Sequence, residues 1–356
     1  MTIDLENYKK ELLYLKGEYQ KVIKLNKEIS FGIEIEFAGI ELDKMLKYVD
    51  KYINKIDSNS AFEYRIWNVI NELTVEKRVY DKILGGEIVS PILHNDEASW
   101  KSIKKITSLF NLQNFYLSED CSLHVHFGEK NFSNFRNNSS PLLCTPQFIF
   151  NLFKIWMVFE DIIYRTCYGS KLQERPKIMK YAPPTGYKIY KNLNSLYNEE
   201  QIIKFVENYR IEKDYGLNLK NLKYFSKKTI EIRCPNAMET IFLIQNTIRF
   251  LARLLEYCDS DEFDSEKIEY YIKKYKPMNI EDFRKENFYK AEDLANMIYD
   301  DELDKMYFLK QYLKCFTKEE LIDKQKILWY YNLGSDLYAK TRFIKSKNKN
   351  KRTSIN

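Results

Sequence analysis

Glycine is scarce in this chain, at ten residues in 356, and histidine scarcer still, at three. No GxxxxGK[ST] or GxGxxG segment occurs, which excludes the glycine-rich phosphate cradles of P-loop proteins, kinases and dinucleotide-binding folds. No run approaches the roughly 18 apolar residues that cross a bilayer. The start, MTIDLENYKKELLYLKGEY, lacks the apolar core of a secretory signal, so a cytoplasmic protein without membrane partners is expected. None of the six cysteines forms a CxxC pair, which argues against a zinc ribbon and for reduced, isolated thiols. The net charge of +6 lies partly in the tail IKSKNKNKR, read as a solvated, disordered segment rather than a nucleic-acid surface.

With 44% hydrophobic residues, the chain can bury a sizeable core. Apolar spacing predicts an amphipathic helix over residues 3–28 and helices over 96–111, 146–167 and 236–258. Strands are expected at 31–40, 63–75, 84–92, 121–128 and 228–234, and polar loops at 130–146 and around Tyr181-Ala182-Pro183-Pro184-Thr185-Gly186. Beyond 260 the pattern is helical and charged, with helix starts at 279–282 and, through a capping box, at Thr317–Glu320. Strands fall before, between and after helices without a βαβ rhythm, which points to an α+β fold with a mainly antiparallel sheet. The domains expected are an N-terminal helix at 1–30, a catalytic domain at 31–260, a helical region at 261–340 and a basic tail at 341–356.

Three of the strands repeat one device. Phe31-Gly32-Ile33-Glu34-Ile35-Glu36-Phe37 alternates carboxylates with apolar residues, so Glu34 and Glu36 share one face. Leu123-His124-Val125-His126-Phe127 does the same with two of the three histidines, and Ile230-Glu231-Ile232-Arg233-Cys234 with a carboxylate and a guanidinium. A Glu-x-Glu pair alone reads as a solvated strand face, and Glu-x-Arg alone as a cross-strand ion pair. The histidine pair shifts the balance towards function, since imidazole is a metal ligand and proton shuttle. His94 has no partner at such spacing and reads as a packing residue. In Gly85-Gly86-Glu87-Ile88-Val89-Ser90-Pro91, two glycines permit a close backbone approach just before Glu87. Carboxylates with histidine form an oxygen-rich site for Mg²⁺ or Mn²⁺, and an arginine beside them suits phosphoryl oxygens.

The order FGIEIEF, GGEIVSP, LHVHFG, TIEIRCP resembles the amidoligase family, within the glutamine synthetase and glutamate–cysteine ligase superfamily of carboxylate–amine ligases. The resemblance runs from about residue 31 to about 255, with support from Arg175 through Tyr181-Ala182-Pro183 and from Gly216-Leu217-Asn218-Leu219. It implies a curved, mainly antiparallel, glutamine-synthetase-like sheet whose concave face holds ATP and Mg²⁺ or Mn²⁺. It implies metal binding by Glu34, Glu36, Glu87, His124 and Glu231, and phosphate contact by His124 and Arg233. Glu36, His126 and Arg233 would be catalytic, and Arg175 and Asn218 would touch nucleotide or substrate. Glu72 and Thr74 fall where relatives carry an acidic residue and a small hydroxyl residue. The activity implied joins a carboxylate to an amine, on an amino acid, peptide or cell-wall component, through an acyl phosphate.

Three positions depart from the family's pattern. Ser122 replaces a common glycine, Glu72 a usual aspartate, and Cys234-Pro235-Asn236 a continuation that contains histidine or glutamine. Two other readings of the residues stay open at this point. One is an ATP-independent metal hydrolase or oxygenase using His124, His126 and a glutamate. The other is a non-catalytic protein that keeps the fold to bind a peptide or partner.

Overall fold

A computed structural model of the chain describes residues 29–54, 66–128, 145–169, 173–193, 196, 198–208, 215–222, 229–275, 287–300 and 302–316. The helix expected over 3–28, most of the loop at 130–146, the helix starts at 279–282 and 317–320, and the basic tail lie outside them. The chain divides into two compact units. The larger spans Val22–Arg284; the described part of the smaller lies between residues 287 and 316.

The larger unit is built on an eight-stranded sheet whose pairs are all antiparallel, giving the α+β class that the element order implies. Its strands are β1 (Ser30–Glu41), β2 (Asn68–Ile70), β3 (Lys77–Val79), β4 (Lys82–Val89), β5 (Leu93–His94), β6 (Leu123–Gly128), β7 (Leu217–Asn218) and β8 (Thr229–Ile232). The order β2-β4-β1-β6-β8-β7 places β1 and β6 centrally, while β3 pairs with β4 and β5 with β1. One face is dry: Ile33, Ile35, Phe37, Leu123, Val125, Phe127, Ile230 and Ile232 are all buried. These are the apolar positions of the alternating segments, and the other face carries their polar partners.

The helices of this unit are α1 (Leu42–Val49), α2 (Glu97–Ser108), α3 (Pro146–Thr166), α4 (Ile178–Tyr181), α5 (Gly186–Leu193), α6 (Glu199–Asn208), α7 (Ile241–Asp259) and α8 (Ser265–Tyr275). In α2, Asp96 caps the start by accepting from Ser99 N–H, and Trp100 stacks on Phe31 of β1 with ring centroids 5.3 Å apart. Thr145 caps α3, with Pro146 in the first turn where its missing N–H costs nothing. Nearly every side chain of α3 is buried, as an all-round apolar helix requires, and α5, α6, α7 and α8 pack around it. Among the described residues no helix is long and apolar enough to cross a membrane. In the smaller unit α9 (Phe288–Ile298) packs against α10 (Glu302–Leu313), and Asn287 N–H donates to the Tyr312 hydroxyl at 2.7 Å.

Two expected elements are corrected. The strand read at 63–75 reduces, in its described part, to Asn68–Ile70, because Glu72 organises a turn instead. Its carbonyl accepts from Val75 and Glu76 N–H, and its carboxylate accepts from Thr74 N–H at 3.0 Å. The helix read at 236–258 starts later, at Ile241, where Thr240 supplies a cap by accepting from Leu243 N–H. The partners of the close approach at Gly85 are the backbone of β1 and of the turn before β3. A Cβ on Gly85, at φ +92°, would lie 2.8 Å from Val75 O and 2.9 Å from Phe37 O.

Two buried contacts hold the segments that reach the site, and each yields a prediction. Glu160 of α3 accepts from Thr185 N–H, the Thr185 hydroxyl, Gly186 N–H and Trp156 Nε1–H, at 2.6–3.0 Å, so it closes the N-terminal end of α5. Burial pushes its carboxyl up to about 7 against the pull of those four donors. A raised folded-state value means that the folded protein keeps a proton the unfolded chain releases, so this group's contribution falls as pH rises from about 4.5 to 7. Glu160→Gln removes an acceptor, and should cost about 1–3 kcal/mol. Urea titrations should show that deficit shrinking between pH 5 and pH 8; a growing deficit would show that the pocket favours the carboxylate. Gly216 sits where a Cβ would meet the Tyr164 hydroxyl at 1.8 Å. Tyr164 is buried and donates to Ala182 O at 2.8 Å, so it has no room to retreat. Gly216→Ala should therefore cost about 1–3 kcal/mol by overpacking, read as a lowered melting temperature.

Candidate functional site

The polar face of the sheet is assembled by register. Glu36 stands opposite Glu87 across β1 and β4, and Glu34 stands opposite His124 across β1 and β6. His126 pairs with Gly32 on one side and Glu231 on the other, and Glu231 pairs with Asn218 of β7. Residues that are up to 197 positions apart thereby share one surface.

The histidines converge on Glu34. His124 Nδ1 lies 3.0 Å from Glu34 Oε2 and 3.4 Å from Glu87 Oε1, and its Nε2 is 2.8 Å from the Ser122 hydroxyl. His126 Nε2 lies 3.1 Å from Glu34 Oε1 but off the hydrogen-bonding line, and has no hydrogen-bond partner; its Nδ1 is 3.3 Å from the Thr229 hydroxyl. Glu36 is held at both oxygens. Ser122 N–H donates to Oε2 at 2.6 Å and the Thr74 hydroxyl donates to Oε1 at 3.2 Å. Glu231 Oε2 accepts from the amides of Asn218 (2.7 Å) and Asn221 (3.1 Å), while Arg233 Nη1 pairs with Oε1. Arg175 reaches the same region from the segment before α4, donating from Nη2 to Arg233 O at 3.0 Å.

Four carboxylates at this spacing require positive charge. Burial pushes Glu34 up, yet contact with His124 and His126 outweighs it and holds the group far below the usual carboxylate range. Burial pushes Glu87 up, and the neighbouring Glu34 and Glu36 charges add to this while His124 opposes it. Burial and the Arg233 charge pull His124 down, but Glu34, Glu87 and Glu36 carry it to about 10, so the ring is a cation until a bound metal displaces the proton from the nitrogen it takes. Arg233 is raised despite burial, through Glu231 and the more distant Glu34 and Glu36.

The donor set fits a hard divalent cation. Glu34, His124 and Glu231 each offer one ligand atom, and these atoms lie within 4.8 Å of one another. Glu87 Oε1 is buried without a hydrogen-bond partner beside them, an unspent acceptor of the kind a cation takes. Of the five residues expected to bind metal, three form this group, and Glu36 and Glu87 adjoin it through His124. His126, Arg233, Arg175 and Asn218 lie around the same face. Glu72 does not join it directly; its carboxylate holds the turn that presents Thr74. Asn221 and Thr229 escaped sequence reading. Asn221 lies in a short 3-10 turn without alternation, and Thr229 stands at a strand end, where hydroxyl residues are ordinary.

Among curated proteins none matches the chain. The sequence model of one family does, over residues 27–255, more than half of the chain and the span that contains every site residue above. That family is described as "Putative amidoligase enzyme", and this chain belongs to it.

Proposed function

We propose that the chain is an ATP-dependent ligase that phosphorylates a substrate carboxylate and passes the acyl group to an amine, releasing ADP and phosphate. Family membership supports ligase chemistry. The observation that carries the phosphoryl-transfer reading is the meeting of Glu34, Glu36, Glu87, His124 and Glu231 with Arg233 on one sheet face. Mg²⁺ or Mn²⁺ held by Glu34, His124 and Glu231, with Glu36 and Glu87 adjoining, would supply charge neutralisation for the phosphate oxygens. Arg233 has one arm fixed on Glu231 while Nε–H is buried without a partner, so a donor is left for an oxygen of the transferred group. Ser122 and Thr74 fix Glu36, and Asn218 and Asn221 fix Glu231, so both carboxylates are oriented before substrate arrives. His126 Nε2 stands 3.1 Å from Glu34 Oε1, and this imidazole–carboxylate pair is suited to take a proton from the attacking amine.

The two-histidine, one-carboxylate reading is less well supported, because the ligand atoms that converge come from one histidine and two glutamates.

ADP release with Mg²⁺–ATP over a panel of amino acids and short peptides tests the proposal. Arg233→Ala and Glu36→Ala should each lower turnover by at least about a hundredfold while retaining the circular dichroism of the parent. Turnover without nucleotide, or unchanged in both variants, would reject it. Millimolar MgCl₂ should raise the melting temperature by about 2 °C or more, and Glu34→Ala should abolish that rise. Equal shifts in parent and variant would remove Glu34 from the metal site.

A further inference from the structure

The carboxylate–histidine face is not polar throughout. Across β2, β4 and β1 the register aligns Ile70, Glu87 and Glu36 in one row, and Asn68, Val89 and Glu34 in the next. Paired residues of antiparallel strands point to the same side, so Ile70 and Val89 stand among the carboxylates. Ile70 is 40% exposed, while Trp67 and Val69 turn to the dry side and are buried. Leu73 follows in the turn whose Thr74 hydroxyl reaches Glu36, and it is 76% exposed. A strand with one buried face ordinarily shows polar residues on the other. Here aliphatic side chains stand uncovered at the rim of the site, and the phosphoryl-transfer reading gives them no task.

The surroundings decide what can cover them. An added strand finds the backbone of β2 already spent. Trp67 N–H donates to Asn54 Oδ1 (2.9 Å), Trp67 O accepts from Asn54 Nδ2 (2.7 Å), and Val69 N–H donates to Asn68 Oδ1 (2.8 Å). A partner protein seated on Ile70 would also cover Glu87 and Glu36 and close the metal-binding face. A polar group of a substrate would lose water against aliphatic carbon and gain no hydrogen bond. An apolar side chain carried by a substrate removes apolar surface from water on both sides and leaves the carboxylates accessible. Arg233, which follows β8, and Asn218 of β7 belong to the opposite end of the strand order from β2, so phosphate and side chain have separate places.

We propose that Ile70, Val89 and Leu73 form a wall that receives an aliphatic or aromatic side chain of a substrate, so that the site selects an amino acid or peptide with an apolar residue at the reacting group. That side chain comes with the acyl donor or with the amine. The wall's role in substrate choice rests on the ligase reading; its affinity for apolar side chains does not.

Isothermal titration of the full chain with Mg²⁺ tests this. N-acetyl-leucine and N-acetyl-alanine offer the carboxylate without the amine, and leucinamide and alaninamide offer the amine without the carboxylate. In at least one pair the leucine compound should bind about tenfold or more tighter than the alanine compound. Selectivity in the first pair assigns the wall to the acyl donor, and in the second to the amine. Ile70→Thr combined with Leu73→Ser, both at exposed positions, should leave the melting temperature unaltered and bring the ratio to about threefold or less. Should the double variant fail to fold, Leu73→Ser alone decides, with the ratio falling by about half or more. No saturation in either pair, equal affinities for leucine and alanine compounds, or a ratio unchanged in the variant would overturn the proposal. ADP release on mixtures of the same compounds separates the two readings. Selective binding without ADP release defeats the ligase and keeps the wall, whereas ADP release with equal affinities defeats the wall alone.

Discussion

Cross-strand register governs this molecule. The pairings Glu36 with Glu87, Glu34 with His124 and His126 with Glu231 are set by backbone hydrogen bonds between β1, β4, β6 and β8. A slip of one residue in any of these pairs would turn its polar set into the core and its isoleucines and valines into water. The dry face therefore protects the polar one, since Ile33, Ile35, Val125 and Ile232 can be buried only when the glutamates and histidines face the other way. Core packing and site geometry are here two readings of the same alternation.

That arrangement concentrates like charge, and the surrounding contacts show how it is tolerated. Glu36 sits directly opposite Glu87, a pairing that is unfavourable unless something intervenes. His124 intervenes, touching Glu34 and Glu87, while Arg233 neutralises Glu231. The positive groups are fewer than the carboxylates, and one acceptor of Glu87 remains unspent. A face balanced in this way has affinity for further positive charge while its ligands stay oriented by neutral donors from Ser122, Thr74, Asn218 and Asn221.

Much of this was legible in the sequence, for reasons particular residues make clear. Strict alternation in β1, β6 and β8 gave both the strands and the side of each on which the polar residues lie. The pairing between strands was not legible, because register depends on partners up to about two hundred positions away. The apolar and β-branched neighbours of Glu72 read as a strand, whereas its own carboxylate caps a turn. α7 starts later than the helix expected from 236, because the Thr240 hydroxyl caps it at Ile241. Arg175 is legible through the family resemblance, whereas its hold on the Arg233 carbonyl is visible only in three dimensions.

Ser122 has a consequence of its own. Its N–H anchors Glu36, a bond that glycine at this position would also make; its hydroxyl adds the contact to His124 Nε2. A hydroxyl can give or receive a hydrogen bond, so it satisfies that nitrogen in either tautomer of the ring. Nε2 is thereby indifferent to whether it carries hydrogen, and the choice passes to the opposite nitrogen, among the carboxylates. The serine works as a swivel: it keeps the ring in place while leaving its charge to be set by whatever occupies the other side.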